Sequence, residues 1–209
     1  MAYPRTRSRT RRAATPFVFD PRRAHLLDNP ERLAWFPPPA IARLLRLGPG
    51  SRCLDLGCGT GFFAIPFAAR VGRRGRVWAV DTSAPVLARF RRKLRGRIPR
   101  QLKVVRVREE DPLPLDDRSV TTALLANVYH HLADPGHTLA EVRRTLRTGG
   151  RCLVLEWRPI RRKRPDQPGP PPHRRVPPRA VARALAAAGF RGMRTSRMGP
   201  HHYVVLAWR

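Results

Sequence analysis

Three glycines at alternate positions, Gly57, Gly59 and Gly61, follow an apolar run and one carboxylate in Cys53-Leu54-Asp55-Leu56-Gly57-Cys58-Gly59-Thr60-Gly61. Glycine accepts positive φ at little cost and lets a ligand approach the backbone. The spacing is G-x-G-x-G, whereas the dinucleotide fingerprint is G-x-G-x-x-G and seats a pyrophosphate on a helix N-terminus. Here the third glycine comes one residue early, and Asp55 puts negative charge where a phosphate would be repelled. A ligand with a cationic head suits this turn. S-adenosylmethionine (SAM), with an ammonium and a sulfonium beside its adenosine, fits. A second carboxylate, Asp81, closes another apolar run about 20 residues beyond the turn, the spacing at which an acid accepts ribose hydroxyls.

Further along, Glu109-Glu110-Asp111 is an acidic cluster in a chain with only 14 Asp and Glu. A carboxylate or backbone N–H there reaches the adenine side of such a ligand. Asn127 ends a fourth apolar run on the methionine side, and Tyr129-His130-His131 continues toward an acceptor. His130 and His131 are candidate bases, because histidine titrates near neutrality; packing is the commoner role for a histidine in this position. Tyr129, Glu156 and Trp157 are candidates to line an acceptor pocket or to pack at its rim.

These residues need elements that bring them to one edge. Strands are predicted at 51–56, 76–81, 101–107, 120–127 and 151–157, with a last pair near 192–197 and 202–208. Helices are predicted after the glycine turn to residue 71, with Pro66 in an irregular first turn, and after Ser83, with Pro85 near its start. A further helix follows Asp134 and runs to Gly149-Gly150, and another covers 179–189 with Gly189 after its end. Pro37-Pro38-Pro39 opens a helix stopped by Gly48-Pro49-Gly50. The proline-rich stretch 109–117 stands in place of a crossover helix. Alternating strands and helices mean right-handed crossovers and a parallel sheet covered on both faces. The expected fold is α/β: a Rossmann-like, doubly wound, seven-stranded and mostly parallel sheet ending in an antiparallel hairpin. Residues 1–15 read as a disordered basic arm, 16–50 as a lead-in and helix, and 51–209 as the main domain, which includes a basic, proline-rich loop at 158–178.

The net charge is +29, and lysine occurs only at Lys93, Lys103 and Lys163, so the excess is arginine. Codon bias in a G+C-rich genome accounts for such a profile. An electrostatic footprint for RNA or another anionic partner, through the arm and the loop, is the sharper alternative. The arginines are spread through the chain and few aromatics interleave them. No apolar run reaches the roughly 20 residues of a membrane span, and no apolar segment follows the basic N-terminus to make a secretory signal. Three unpaired cysteines, Cys53, Cys58 and Cys152, argue against disulfides and a cysteine metal site, and fit a cytoplasmic location.

The pieces CLDLGCGTGFFAIPFA, GRVWAVDTS, EEDPLPLDDRSV, LLANVYHHLADP and LRTGGRCLVLEW, over residues 51–157, resemble the class I SAM-dependent methyltransferases. The likeness is to the broad group that includes the ubiquinone- and menaquinone-biosynthesis C-methyltransferases. It implies a SAM site at Asp55, Gly57, Gly59, Gly61 and Asp81, with Glu109 and Glu110 on the adenine side, where many members have Asp-Ala. It also implies in-line methyl transfer. The expected activity is methylation of a small-molecule acceptor. The alternatives are an RNA-directed methyltransferase using the basic surface, and a SAM-binding module without catalysis. Asn127-Val128-Tyr129 lacks the prolines typical of enzymes that methylate exocyclic amines of bases, and no cysteine follows the fourth strand as a cytosine C5 enzyme requires.

Overall fold

The computed structural model describes residues 26–209; the basic arm at 1–15 and the start of the lead-in lie outside the described residues. Seven strands form one sheet: β1 (Arg52–Leu56), β2 (Arg76–Asp81), β3 (Leu102–Arg106), β4 (Val120–Ala126), β5 (Leu146–Trp157), β6 (Arg191–Met198) and β7 (His202–Trp208). Their order is β3-β2-β1-β4-β5-β7-β6. The first five are mutually parallel, and β7 runs antiparallel to both β5 and β6. The expected doubly wound sheet with its C-terminal hairpin is therefore present.

Successive residues of the central strands point to opposite faces, as a pleated strand requires. Cys53, Leu124, Leu153 and Val204 enter one core, while Leu54, Leu125, Val154 and Val205 enter the other. The first core is covered by α2 (Pro38–Leu45), α3 (Ala64–Val71) and α4 (Ala84–Lys93), which follow a single-turn α1 (Arg32–Trp35). The second is covered by α5 (Pro135–Thr145) and α6 (Pro178–Ala187). Between β3 and β4 there is no helix, and Leu113 and Leu115 of the proline-rich connector bury themselves in that face instead.

Proline opens α2, α4, α5 and α6, at positions where its missing N–H has no intrahelical partner to lose. Ser83 caps α4 by accepting from Val86 N, and Asp134 caps α5 by accepting from His137 N. Pro66 falls in the first turn of α3, which starts three residues after Gly61.

Two boundaries differ from expectation. Helix α2 stops at Arg46, held in the left-handed region at φ 52°, before Gly48 is reached. Strand β5 begins at Leu146 rather than after Gly150. Leu146 is fully buried and pairs with Val120, so the chain turns straight from helix to strand, and the slack appears as a register shift between Val120 and Thr122.

In chain order the sheet grows outward from β1 to β3 and then restarts on the other side of β1 with β4. The carboxyl ends of β1 and β4 therefore flank the switch point, where open α/β sheets bind ligands. Among the described residues no helix is long and apolar enough to cross a membrane.

Candidate functional site

A cleft of about 650 Å3 opens at that switch point, within the roughly 300–1,000 Å3 of small-ligand sites. Asp55, Asp81, Glu109, Asp111 and Glu141 all line it. Acidic side chains are thus gathered here in a chain that has 14 in total against 43 Lys and Arg.

The glycine turn is shaped by the protein's own packing. A Cβ on Gly57 would meet Val128 Cγ2 at 2.1 Å, and one on Gly61 would meet the Phe90 ring at 2.2 Å. Both residues have positive φ. Gly57 lets the turn after β4 seat Val128 beside β1, and Gly61 lets α4 close over the turn. Gly59 is looser, with Leu27 Cδ1 at 3.3 Å from its would-be Cβ.

Asp55 is buried at the tip of β1, and its Oδ2 has no hydrogen-bond partner. Burial, then the charge of Asp81, push its carboxyl up to about 7, against the opposing pull of Arg32. Asp81 ends β2; its Oδ2 accepts from Gly59 N and its Oδ1 from Ser83 N, both at 2.9 Å. Burial raises its pKa, and those two amides offset part of the rise. Asn127 follows β4 at φ 57°, a conformation asparagine tolerates better than most residues. Its Oδ1 is also buried without a partner. Two unmatched acceptors thus stand at the tips of the two strands that flank the switch point.

Arg32 carries no signal in a chain so rich in arginine, yet it lines the same cleft. Its guanidinium lies 4.1 Å from the Phe62 ring centroid and donates to Leu27 O. Burial lowers its pKa to about 10, while Asp28 and Asp55 pull the other way. Asp28 fastens this lead-in to the domain. It accepts from Thr60 Oγ1 at 2.6 Å, pairs with Arg89 at 3.0 Å and with Lys93 at 2.9 Å. Burial opposes ionisation of Asp28, but these hydrogen bonds win and its pKa falls. The sequence hint was the ordered, partly apolar lead-in that holds three of the chain's 14 acids, Asp20, Asp28 and Glu31.

Glu109 lines the cleft and accepts from Ala133 N. Glu110 is exposed and is not part of the cleft wall, because the chain turns at 109–110 and sends successive side chains apart. Where two adjacent acids were expected to serve the adenine side, the fold brings one.

The other half of the cleft is built from β4, β5 and the segment after β5. His130 and His131 sit in a 3-10 turn over Tyr129–His131, and both line the cleft. Glu156 is fully buried on β5. Its two oxygens lie 2.9 and 2.8 Å from His130 Nδ1, and they accept from His130 N and Trp157 N at 3.2 Å each. His131 lies against His130, with ring centroids 3.8 Å apart. Burial, His130 and Arg174 lower the pKa of His131 to about 3.

Residues 158–178 wrap over Trp157. Arg175 is buried among them and donates to the carbonyls of Pro170 at 2.9 Å, Arg158 at 3.1 Å and Pro168 at 2.6 Å. Gly169 meets the Trp157 ring so closely that a Cβ would lie 2.6 Å from it. Through Lys163, Gly169, Pro170 and Arg174 this basic segment becomes a wall of the cleft. Tyr129 is buried and is not part of the cleft wall. All three cysteines are free and buried, and burial pushes Cys53 and Cys152 up to about 12.

Residues 54–154 match a family model described as a methyltransferase domain. The chain is 40% identical over 110 residues to an uncharacterized transposon protein of Streptomyces fradiae, covering 52% of this chain and 30% of that protein. It is 32% identical over 110 residues to a 2-phytyl-1,4-naphtoquinone methyltransferase of Trichormus variabilis, covering 52% of this chain and 48% of that one. It thus spans less than half the length of these curated relatives. A crystal structure of a SAM-dependent methyltransferase from Aquifex aeolicus superposes with a TM-score of 0.82 at 28% identity, over 91% of this chain and 98% of that one.

Proposed function

The chain belongs to the class I SAM-dependent methyltransferases, and on that premise we propose that it methylates a small-molecule acceptor held in the half of the cleft walled by residues 158–178. The observation that carries the donor assignment is the pair of buried, unmatched acceptors, Asp55 Oδ2 and Asn127 Oδ1. A buried acceptor without a donor costs about 1–3 kcal/mol, which a ligand ammonium recovers. In this reading Asp55 and Asn127 hold the ammonium, Arg32 the carboxylate of the same amino-acid head, and Asp81 the ribose hydroxyls. Glu109 borders the adenine side. SAM supplies an electrophilic methyl group on a positively charged sulfur. The chain's part is to hold acceptor and donor in line, which can contribute several kcal/mol to the barrier reduction.

Support for a small acceptor comes from the inward turn of the basic segment. Arg175 is spent on three carbonyls, and prolines and Gly169 roof Trp157. The test is incubation with tritiated SAM and a cell lysate split into small-molecule, RNA and protein fractions. Label is expected in the small-molecule fraction. Label confined to RNA, or SAM bound without label transfer to any fraction, would contradict the proposal.

A further inference from the structure

The Glu156 carboxylate is the most deeply committed charge of the acceptor half. It is fully buried, it faces the His130 ring with both oxygens, and it also collects the backbone N–H groups of His130 and Trp157. A carboxylate accepts only, so the ring nitrogen beside it must carry a proton. Nδ1 is that nitrogen. Nε2 is then left as the bare, lone-pair-bearing nitrogen of a neutral ring, on a residue that lines the cleft. Holding that tautomer with a carboxylate is a known way to make an imidazole a directed base.

We propose that Glu156 and His130 form a carboxylate–imidazole dyad whose Nε2 takes a proton from the acceptor during methyl transfer, and that the acceptor is therefore a protic one, such as a phenol or enol. His130 is the catalytic residue and Glu156 its positioning residue. The inference rests on the donor reading above. In the step, the acceptor's O–H bond breaks and its proton passes to His130 Nε2. The oxygen's electron pair forms the new bond to the methyl carbon, and the carbon–sulfur bond breaks with its electrons staying on sulfur, leaving a neutral thioether. The protonated ring then sits against the Glu156 carboxylate until the proton is lost to solvent.

The neighbours suit this role. His131 in the same turn and His202 on β7 are both held near a pKa of about 3, first by burial, so neither competes as a base or adds positive charge near neutrality. Tyr129 and Tyr203 face Glu156, and burial first and then that carboxylate's charge raise both, so both phenols stay protonated. Among the cations nearby, Arg174 acts on His131, and Arg32 and Arg175 act on His202. Asp55 titrates near neutrality, but it belongs to the donor half, so it acts on SAM affinity rather than on turnover.

Two measurements on the full chain test the dyad. In protein labelled with 15N-histidine and free of ligand, the His130 ring at pH 8 is expected to carry its proton on Nδ1, with Nε2 bare. A proton on Nε2 overturns the inference whatever the donor site does. The second measurement is transfer of tritiated methyl from SAM to 1-naphthol, a protic probe, against pyridine, which has no proton to lose. Label is expected on 1-naphthol alone, with kcat falling as pH drops because a protonated imidazole cannot accept a proton. His130→Gln should lower kcat about 100-fold and abolish that acid limb, with SAM affinity by calorimetry unchanged. Glu156→Gln keeps a hydrogen-bond acceptor and loses the charge; it should lower kcat about tenfold with little change in KM. Wild-type turnover by His130→Gln, a flat acid side, label on pyridine, or silence with both probes from a protein that binds SAM would each overturn it. Failure to bind SAM sinks the donor reading, and the tautomer measurement then decides the dyad alone.

Discussion

The two halves of the cleft are built on opposite plans. The donor half takes its shape from backbone and short acidic side chains at the tips of β1 and β2. Its glycines are fixed by neighbours inside the fold, Val128 and Phe90, and its carboxylates are buried close together, so that one of them is pushed up to about 7. The acceptor half is assembled from residues 130–131, 156–157 and 163–174, and it sets the buried Glu156 carboxylate and two histidines beside the basic side chains of Lys163 and Arg174. In the proposed reading one half is an electrostatic socket for a cation, and the other is a walled chamber around a single buried carboxylate. Asp55 Oδ2 and Asn127 Oδ1 of the donor half lack a hydrogen-bond partner, whereas the Glu156 carboxylate of the acceptor half has both oxygens engaged.

That contrast can be broken by substitution. Asp81→Ala removes the acid that organises Gly59 and Ser83 and that, in the proposed reading, takes the ribose hydroxyls. Charge-assisted hydrogen bonds contribute about 1.5–3 kcal/mol each, so SAM affinity should fall by about a hundredfold or more in calorimetry. An unchanged affinity would refute the ribose assignment.

Asp55→Asn should also weaken SAM binding, yet stabilise the free protein at pH 8. The sign follows from a folded pKa of about 7 against an ordinary 3.8. Between those values the unfolded chain has lost the proton that the folded chain keeps, so stability falls as pH rises, and the full cost is present above about pH 7. Asparagine removes that cost. A melting temperature several degrees above wild type is expected at pH 8, at about 2–4 °C per kcal/mol, with the gap closing toward pH 4. A destabilised variant at pH 8 would mean that Asp55 is not under strain.

Arg32→Gln tests the amino-acid head more finely. S-adenosylhomocysteine affinity should drop about tenfold, for one lost charge-assisted contact. Affinity for 5′-methylthioadenosine, which has no carboxylate, should not change. Equal losses for both ligands would show that Arg32 acts only by holding the lead-in.

The smallest effect on the donor half is expected from Gly169→Ala. The added methyl meets the Trp157 ring at a residue held at φ 91°, so the wrapped segment must shift. The KM for the acceptor should rise while SAM affinity stays within about twofold, since the three atoms nearest the added methyl all belong to Trp157 on the acceptor side. Coupled losses would argue that the halves are not separable.

The same contrast explains what could be read in the sequence. Strand ends, caps and the glycine turn were legible because each depends on neighbours within a few residues: Ser83 and Asp134 cap the helices expected of them, and Asp55 and Asp81 reach the predicted strand tips. Arg32 was hidden by composition. The pairing of Glu156 with His130 was hidden by distance, since only the parallel register of β4 with β5 brings the residues after one strand against the end of the other. Glu110 shows the reverse, since it is adjacent to Glu109 in sequence but the turn leaves its side chain exposed and outside the cleft wall. The early end of α2 at Arg46 was invisible because a left-handed arginine leaves no mark that glycine or proline would.

If the buried Asp55 receives the cationic head of SAM, calorimetry of SAM binding across pH 6 to 8 will reveal it. Affinity is expected to rise with pH through about 7, with proton release on binding at the lower end, because Asp55 must ionise to pair with the ammonium. No binding, or an affinity that does not change with pH and releases no proton, would contradict it.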